Sequence, residues 1–142
     1  VRYLRLFFKN KTMETIKESE LRIGNSIKQF NYDFYEDEKW KTEDFDIVEV
    51  NLIILESISK GDDFSELFEG IPITEELLLE YGAEKRDFGF KITDYIRIIF
   101  DDSGVILECE DSFYSSNLEN VKYLHQLQNL YFALTNKELK KI

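Results

Sequence analysis

Between Tyr95 and Tyr114 the chain carries two alternating apolar runs separated by Asp101-Asp102-Ser103-Gly104. In the first run Tyr95, Arg97 and Ile99 alternate with Ile96, Ile98 and Phe100. Period two is the signature of a half-buried strand, and a D-D-S-G break followed by Val105–Tyr114 predicts an antiparallel hairpin. A few residues later the period changes. Leu124, Leu127, Tyr131 and Leu134 recur at helical spacing, Leu130 widens the stripe, and Asn136 is suited to end it. A chain that must bury both patterns is α+β. The expected fold is a small antiparallel sheet of four to six strands with a mid-chain helix and a C-terminal helix packed on it.

The remaining elements follow from the same signals. Thr15–Leu21 reads as a short helix closed by Gly24-Asn25, and Phe30, Tyr32 and Phe34 alternate as a strand. Phe45–Ile58 reads as the longest strand, with Val48, Val50, Leu52 and Ile54 on one face. Gly61–Gly70 is an acidic loop. Thr74 caps a helix whose first turn holds Glu75 and Glu76, where the helix dipole favours anions. Leu77, Leu78 and Tyr81 form its apolar side, Gly82 stops it, and Phe88–Ile92 is a short strand.

With 142 residues, 43% of them hydrophobic, the chain is expected to form one acidic α+β domain over 1–142. Residues 1–12 precede Met13 and read as an extension before the usual start. Cys109 is the lone cysteine, so no intrachain disulfide can form, which suits a reducing, cytoplasmic compartment. No apolar run reaches the length of a membrane span, and residues 1–10 lack the pattern of a signal peptide. Charge is uneven. Residues 31–111 carry seven Lys/Arg against 24 Asp/Glu, net −17, within a chain of net −11. Such a field repels nucleic acid and attracts basic protein surfaces, although solubility alone also explains acidity.

Chemistry-bearing residues are sparse. His125 has no second histidine or nearby cysteine to share a metal, and reads as a helix-surface or half-buried side chain. Cys109 lies between Glu108 and Glu110, which disfavour a thiolate. Asp62-Asp63 and Asp101-Asp102 lack the spacing of a calcium loop and read as loop and turn residues. No phosphate-binding glycine loop or nucleophile elbow occurs. No catalytic residue, metal or cofactor is therefore expected. The basic aromatic start, Arg2 to Lys11, has the residue types of a single-strand binding surface, but the acidic body opposes that role. Aromatic anchors within an acidic field suit protein docking instead. The expected partner-binding set is Trp40, Phe34, Tyr35 and Phe64, surrounded by Glu36, Asp37, Glu38, Asp62 and Asp63.

Three stretches, ELRIGNSI at 20–27, IPITEELLLEYGAEK at 71–85 and VKYLHQLQNLYFALTNKEL at 121–139, cover about 40 of the 142 residues. Their order and wording resemble a family of small proteins scattered through phages, prophages and mobile elements. The chain departs from that pattern at Asn136, where the family usually has Gly, in a longer and more acidic 31–60, and in residues 1–12. The resemblance implies a mobile-element origin. It further implies kinship with small inhibitors of bacterial defence, such as the type VI-B anti-CRISPR class that acts on RNA-guided, RNA-targeting nucleases. The expectation is a non-enzymatic inhibitor in the bacterial cytoplasm with a protein partner, without direct nucleic-acid or membrane binding. The alternatives are an accessory interaction protein with an unrelated partner, or an uncharacterised enzyme.

Overall fold

The computed structural model describes residues 16–30, 45–61, 67–94, 96–101, 104–109 and 121–142. The chain is α+β and divides into two compact units, Val1–Ile71 and Pro72–Ile142.

In the first unit, strands β1 (Ser26–Phe30), β2 (Phe45–Glu49) and β3 (Phe68–Glu69) form an antiparallel sheet in the order β2-β1-β3. A tight turn feeds β1. The Arg22 N–H donates to Asn25 Oδ1 at 2.6 Å, and Gly24 takes a φ of 90° that other residues rarely adopt. Asn25 is buried, and its carbonyl accepts from Val50 N at 2.8 Å, which ties the turn to the end of β2. The ELRIGN wording is thus a structural device for starting β1. Of the helix read at Thr15–Leu21, the described residues 16–21 form one 3-10 turn over Glu18–Glu20, and Thr15 lies outside the described residues. The strand read from Phe30 to Phe34 starts where β1 ends: Phe30 is the last residue of β1, and residues 31–34 lie outside the described residues.

The single strand expected over Phe45–Ile58 does not form. β2 stops at Glu49, and helix α1 runs from Leu52 to Lys60. The switch has a local cause. Asn51 is the N-cap, its Oδ1 accepting from Ile54 N at 2.9 Å, and Gly61 closes the helix in the left-handed region. Ile54, Leu55 and Ile58 have helical spacing, and all three pack on a core of Ile16, Ile27, Val50 and Phe68. The isoleucines favour a strand by propensity, and burial of this face overrides it. The end of the expected loop at Gly61–Gly70 is also ordered, because Phe68 and Glu69 pair with β1.

The second unit matches the expected architecture. Helix α2 (Glu75–Glu80) is capped by Thr74, whose Oγ1 accepts from Leu77 N at 3.1 Å. It ends in a Schellman pair, Ala83 N to Leu78 O and Gly82 N to Leu79 O. Strands β4 (Glu84–Arg86), β5 (Gly89–Lys91), β6 (Ile96–Asp101) and β7 (Gly104–Cys109) form an antiparallel meander in that order. β4 was not anticipated. The β6–β7 hairpin closes with Asp101 opposite Gly104, as the turn signal implies. Helix α3 (Leu124–Thr135) completes the unit. Its core gathers Ile73 and Leu78, Phe90, Ile96 and Ile98 from the sheet, and Leu127.

Two details of α3 correct the sequence reading. Leu134 is 52% exposed, because the buried stripe runs through Leu124, Leu127 and Gln128 and has left the core by the last turn. His125 is fully buried and stacks on the Tyr123 ring at 5.8 Å between centroids. Gln126 supports the start of the helix, its Oε1 accepting from Tyr123 N and Lys122 N. Asn136 ends the helix at φ 55°, as its residue type suggests.

Candidate functional site

Trp40, Phe34, Tyr35, Phe64, Glu36, Asp37, Glu38, Asp62 and Asp63 all lie outside the described residues. Asp101 is the last residue of β6, and Cys109 ends β7 opposite Ile96. Among the described residues no group of three His, Cys, Asp or Glu side chains could hold a metal ion. No described helix is long and apolar enough to cross a membrane.

Two surfaces stand out instead. The first is on the edge strand β2. Phe45 and Ile47 share a face by alternation and are 41% and 54% exposed, with Asp46 and Glu49 exposed beside them. Phe45 is held against the sheet by an edge-to-face contact with Phe30 at 5.9 Å and by Lys28 Nζ 4.5 Å above its ring. The next helix opens with Leu52 and Ile53, 71% and 77% exposed. The sequence pattern places Leu52 on one strand face with Val48, Val50 and Ile54, because period two continues through Val50 and conceals the change of element.

The second surface is an open groove of about 570 Å³ on the meander of the second unit. Lys85, Arg86, Lys91 and Arg97 line it, together with Asp87 and Phe88. Lys91 is bridged to Asp94 at 2.7 Å, and this contact holds the Asp94 carboxyl below its ordinary range. Arg86 is bridged to Glu84 at 2.6 Å. The available sequence signal was that these four cations are the majority of the seven in an acidic stretch.

No family model, curated protein or solved structure matches the chain. Its chemistry has to be read from these surfaces.

Proposed function

We propose that this chain is a non-enzymatic, protein-binding inhibitor of a bacterial defence nuclease, anti-CRISPR-like, which docks an acidic surface on an RNA-guided effector. The observation that carries this reading is the edge of β2, where exposed Phe45 and Ile47 alternate with exposed Asp46 and are followed by exposed Glu49. RNA-guided effectors hold their nucleic acids in basic channels. An acidic partner is steered to such a channel by charge, while apolar contacts made after desolvation hold it there. Among the described residues β2 pairs on one side only, with β1, and a strand at such an edge can dock a partner through backbone hydrogen bonds. The resemblance of residues 20–27, 71–85 and 121–139 to mobile-element proteins supports the same reading.

The test is association with a purified type VI-B effector–guide complex, together with inhibition of its RNA cleavage. Ile47→Ala should weaken binding by about 2 kcal/mol if the residue is a central anchor. Asp46→Lys with Glu49→Lys should slow association and reduce its salt dependence. Reversal of Glu36, Asp37 and Glu38 to Lys extends the test to the anchors expected from sequence. Unchanged binding and inhibition in all three variants would remove the acidic surface as the interface.

A further inference from the structure

We propose that the free side of β2 is a strand-addition site for an extended, basic segment of the partner, in which Lys or Arg is interspersed with apolar residues. This rests on the protein-binding reading above and specifies how the contact is made.

The direction of the β2 backbone groups is fixed at the strand's end. Val50 N donates to Asn25 O at 2.8 Å and Val50 O accepts from Gly24 N at 2.9 Å, so both groups of Val50 turn toward the β1 side. Successive residues of an antiparallel strand turn alternately toward a neighbour and away from it. Asp46 and Val48 therefore face β1. The N–H and C=O groups of Phe45, Ile47 and Glu49 face the other side, where β2 has no neighbour among the described residues.

Edge strands are commonly shielded by shortness, charge, proline or a bulge, because an open edge pairs with other chains. Among the edges with described side chains, β3 is two residues long, and β4 is three exposed residues, Glu84, Lys85 and Arg86. β2 instead runs for five residues in unbroken register with β1, without proline, lysine or bulge. It also displays apolar side chains. Phe45 and Ile47 are exposed on its outer face, while Val48 on the opposite face packs on the core.

The register decides the chemistry of the occupant. Asp46 stands opposite Gln29 and Glu49 opposite Ser26, so β1 places no cation opposite either acid. Lys28 lies over the Phe45 ring, opposite Ile47 on one side and Glu69 on the other. Opposite charges at directly opposed positions stabilise a sheet, and like charges destabilise it. An added strand is therefore favoured with Lys or Arg opposite Asp46 and Glu49, and with apolar residues opposite Phe45 and Ile47. A second copy of this chain would bring two more carboxylates to the same edge in place of those cations. Charge thus selects a basic strand over a β2–β2 dimer, and the net −17 of residues 31–111 draws such a strand in from a distance.

Amide hydrogen exchange of the full chain, read residue by residue by NMR, tests this with three capped peptides. These are TKVIKFT, its acidic counterpart TEVIEFT, and TKVIKFT methylated on the backbone nitrogens of Ile and Phe. In the free chain the amides of Phe45, Ile47 and Glu49 should exchange fast. TKVIKFT should bind and slow these three, leaving Asp46 and Val48 as they were. TEVIEFT should bind at least about tenfold more weakly, and Asp46→Lys with Glu49→Lys should reverse that preference. The methylated peptide, which keeps the side chains but loses the backbone donors, should not bind. Slow exchange at Ile47 in the free chain would show an edge already paired and overturn the proposal. Absence of TKVIKFT binding at millimolar concentration would do the same, as would equal binding of the methylated or the acidic peptide. A concentration-dependent dimer that protects these amides without peptide would assign the edge to a second copy, against the proposal. Peptide binding without inhibition of the effector would remove the inhibitor reading and leave the strand-addition site. Inhibition without protection of these amides in the effector complex would do the reverse.

Discussion

Leu127 is fully buried on α3 and Leu134, two turns later, is half exposed, although both belong to one apolar repeat in the sequence. Their substitution costs should differ accordingly. Leu127→Ala should destabilise the fold by about 2–5 kcal/mol through lost burial and the cavity left behind. Leu134→Ala should stay within about 0.5 kcal/mol in the same urea titration. Equal effects would mean that α3 does not present the face described. Gly89 is a second residue whose role the sequence conceals. Its φ is 119°, and a β-carbon there would run into the Ile98 carbonyl oxygen across the sheet. Gly89→Ala should therefore cost at least about 1–3 kcal/mol in thermal denaturation, and pull β5 away from β6. Helical spacing identified Leu127 from the sequence, but where the core ends and how close Ile98 comes to Gly89 are properties of packing.

At the scale of elements, the change from β2 to α1 depends on Asn51. Asn51→Ala removes the acceptor of the Ile54 N–H and should cost about 1 kcal/mol, with a loss of helical circular dichroism. A stability unchanged by this substitution would show that burial of Ile54 and Ile58 alone holds α1. The C-terminal segment is secured by small polar contacts around buried Leu139. Gln128 Nε2 donates to the Leu139 carbonyl at 3.3 Å, Ile142 N donates to Glu80 O at 3.0 Å, and Lys141 Nζ bridges to Glu80 at 2.9 Å. The Glu80 carboxylate raises the Lys141 ammonium above its ordinary value. A raised value contributes stability below the unfolded-state pKa and loses it as pH climbs through the folded one. The opposite sign holds for Asp94, depressed by Lys91, whose contribution is present above its ordinary value and lost at strongly acid pH. Both groups are exposed, so the expected effects are small. Lys141→Ala should remove the small contribution of this pair to the alkaline slope and leave the acid limb of the stability curve intact.

For the whole molecule, the charge pattern governs association more than folding. Raising salt from 50 to 500 mM should weaken capture of a basic protein partner strongly while barely moving the melting temperature, because it screens the acidic field and spares the apolar cores. A chelator should change neither melting temperature nor inhibition. A loss of either would place a metal in the mechanism. The paired strands Ile96–Asp101 and Gly104–Cys109 and the helix Leu124–Thr135 are legible in the sequence, because periodicity, turn residues and a capping Asn are written locally, while residues 110–114 of the expected returning strand lie outside the described residues. The same local logic gave Thr74 and Gly82 as the ends of α2. Other features depend on residues distant in sequence. The α+β class, the terminal helix and the acidic field were determined by the order of side chains alone. Tertiary structure decided that an isoleucine-rich run would turn into a helix on Ile27 and Phe68, that the strands would divide between two sheets, and that Lys85, Arg86, Lys91 and Arg97 would share one groove. The physical reason is that burial and strand register couple residues through space, where the periodicity of a single segment carries no information.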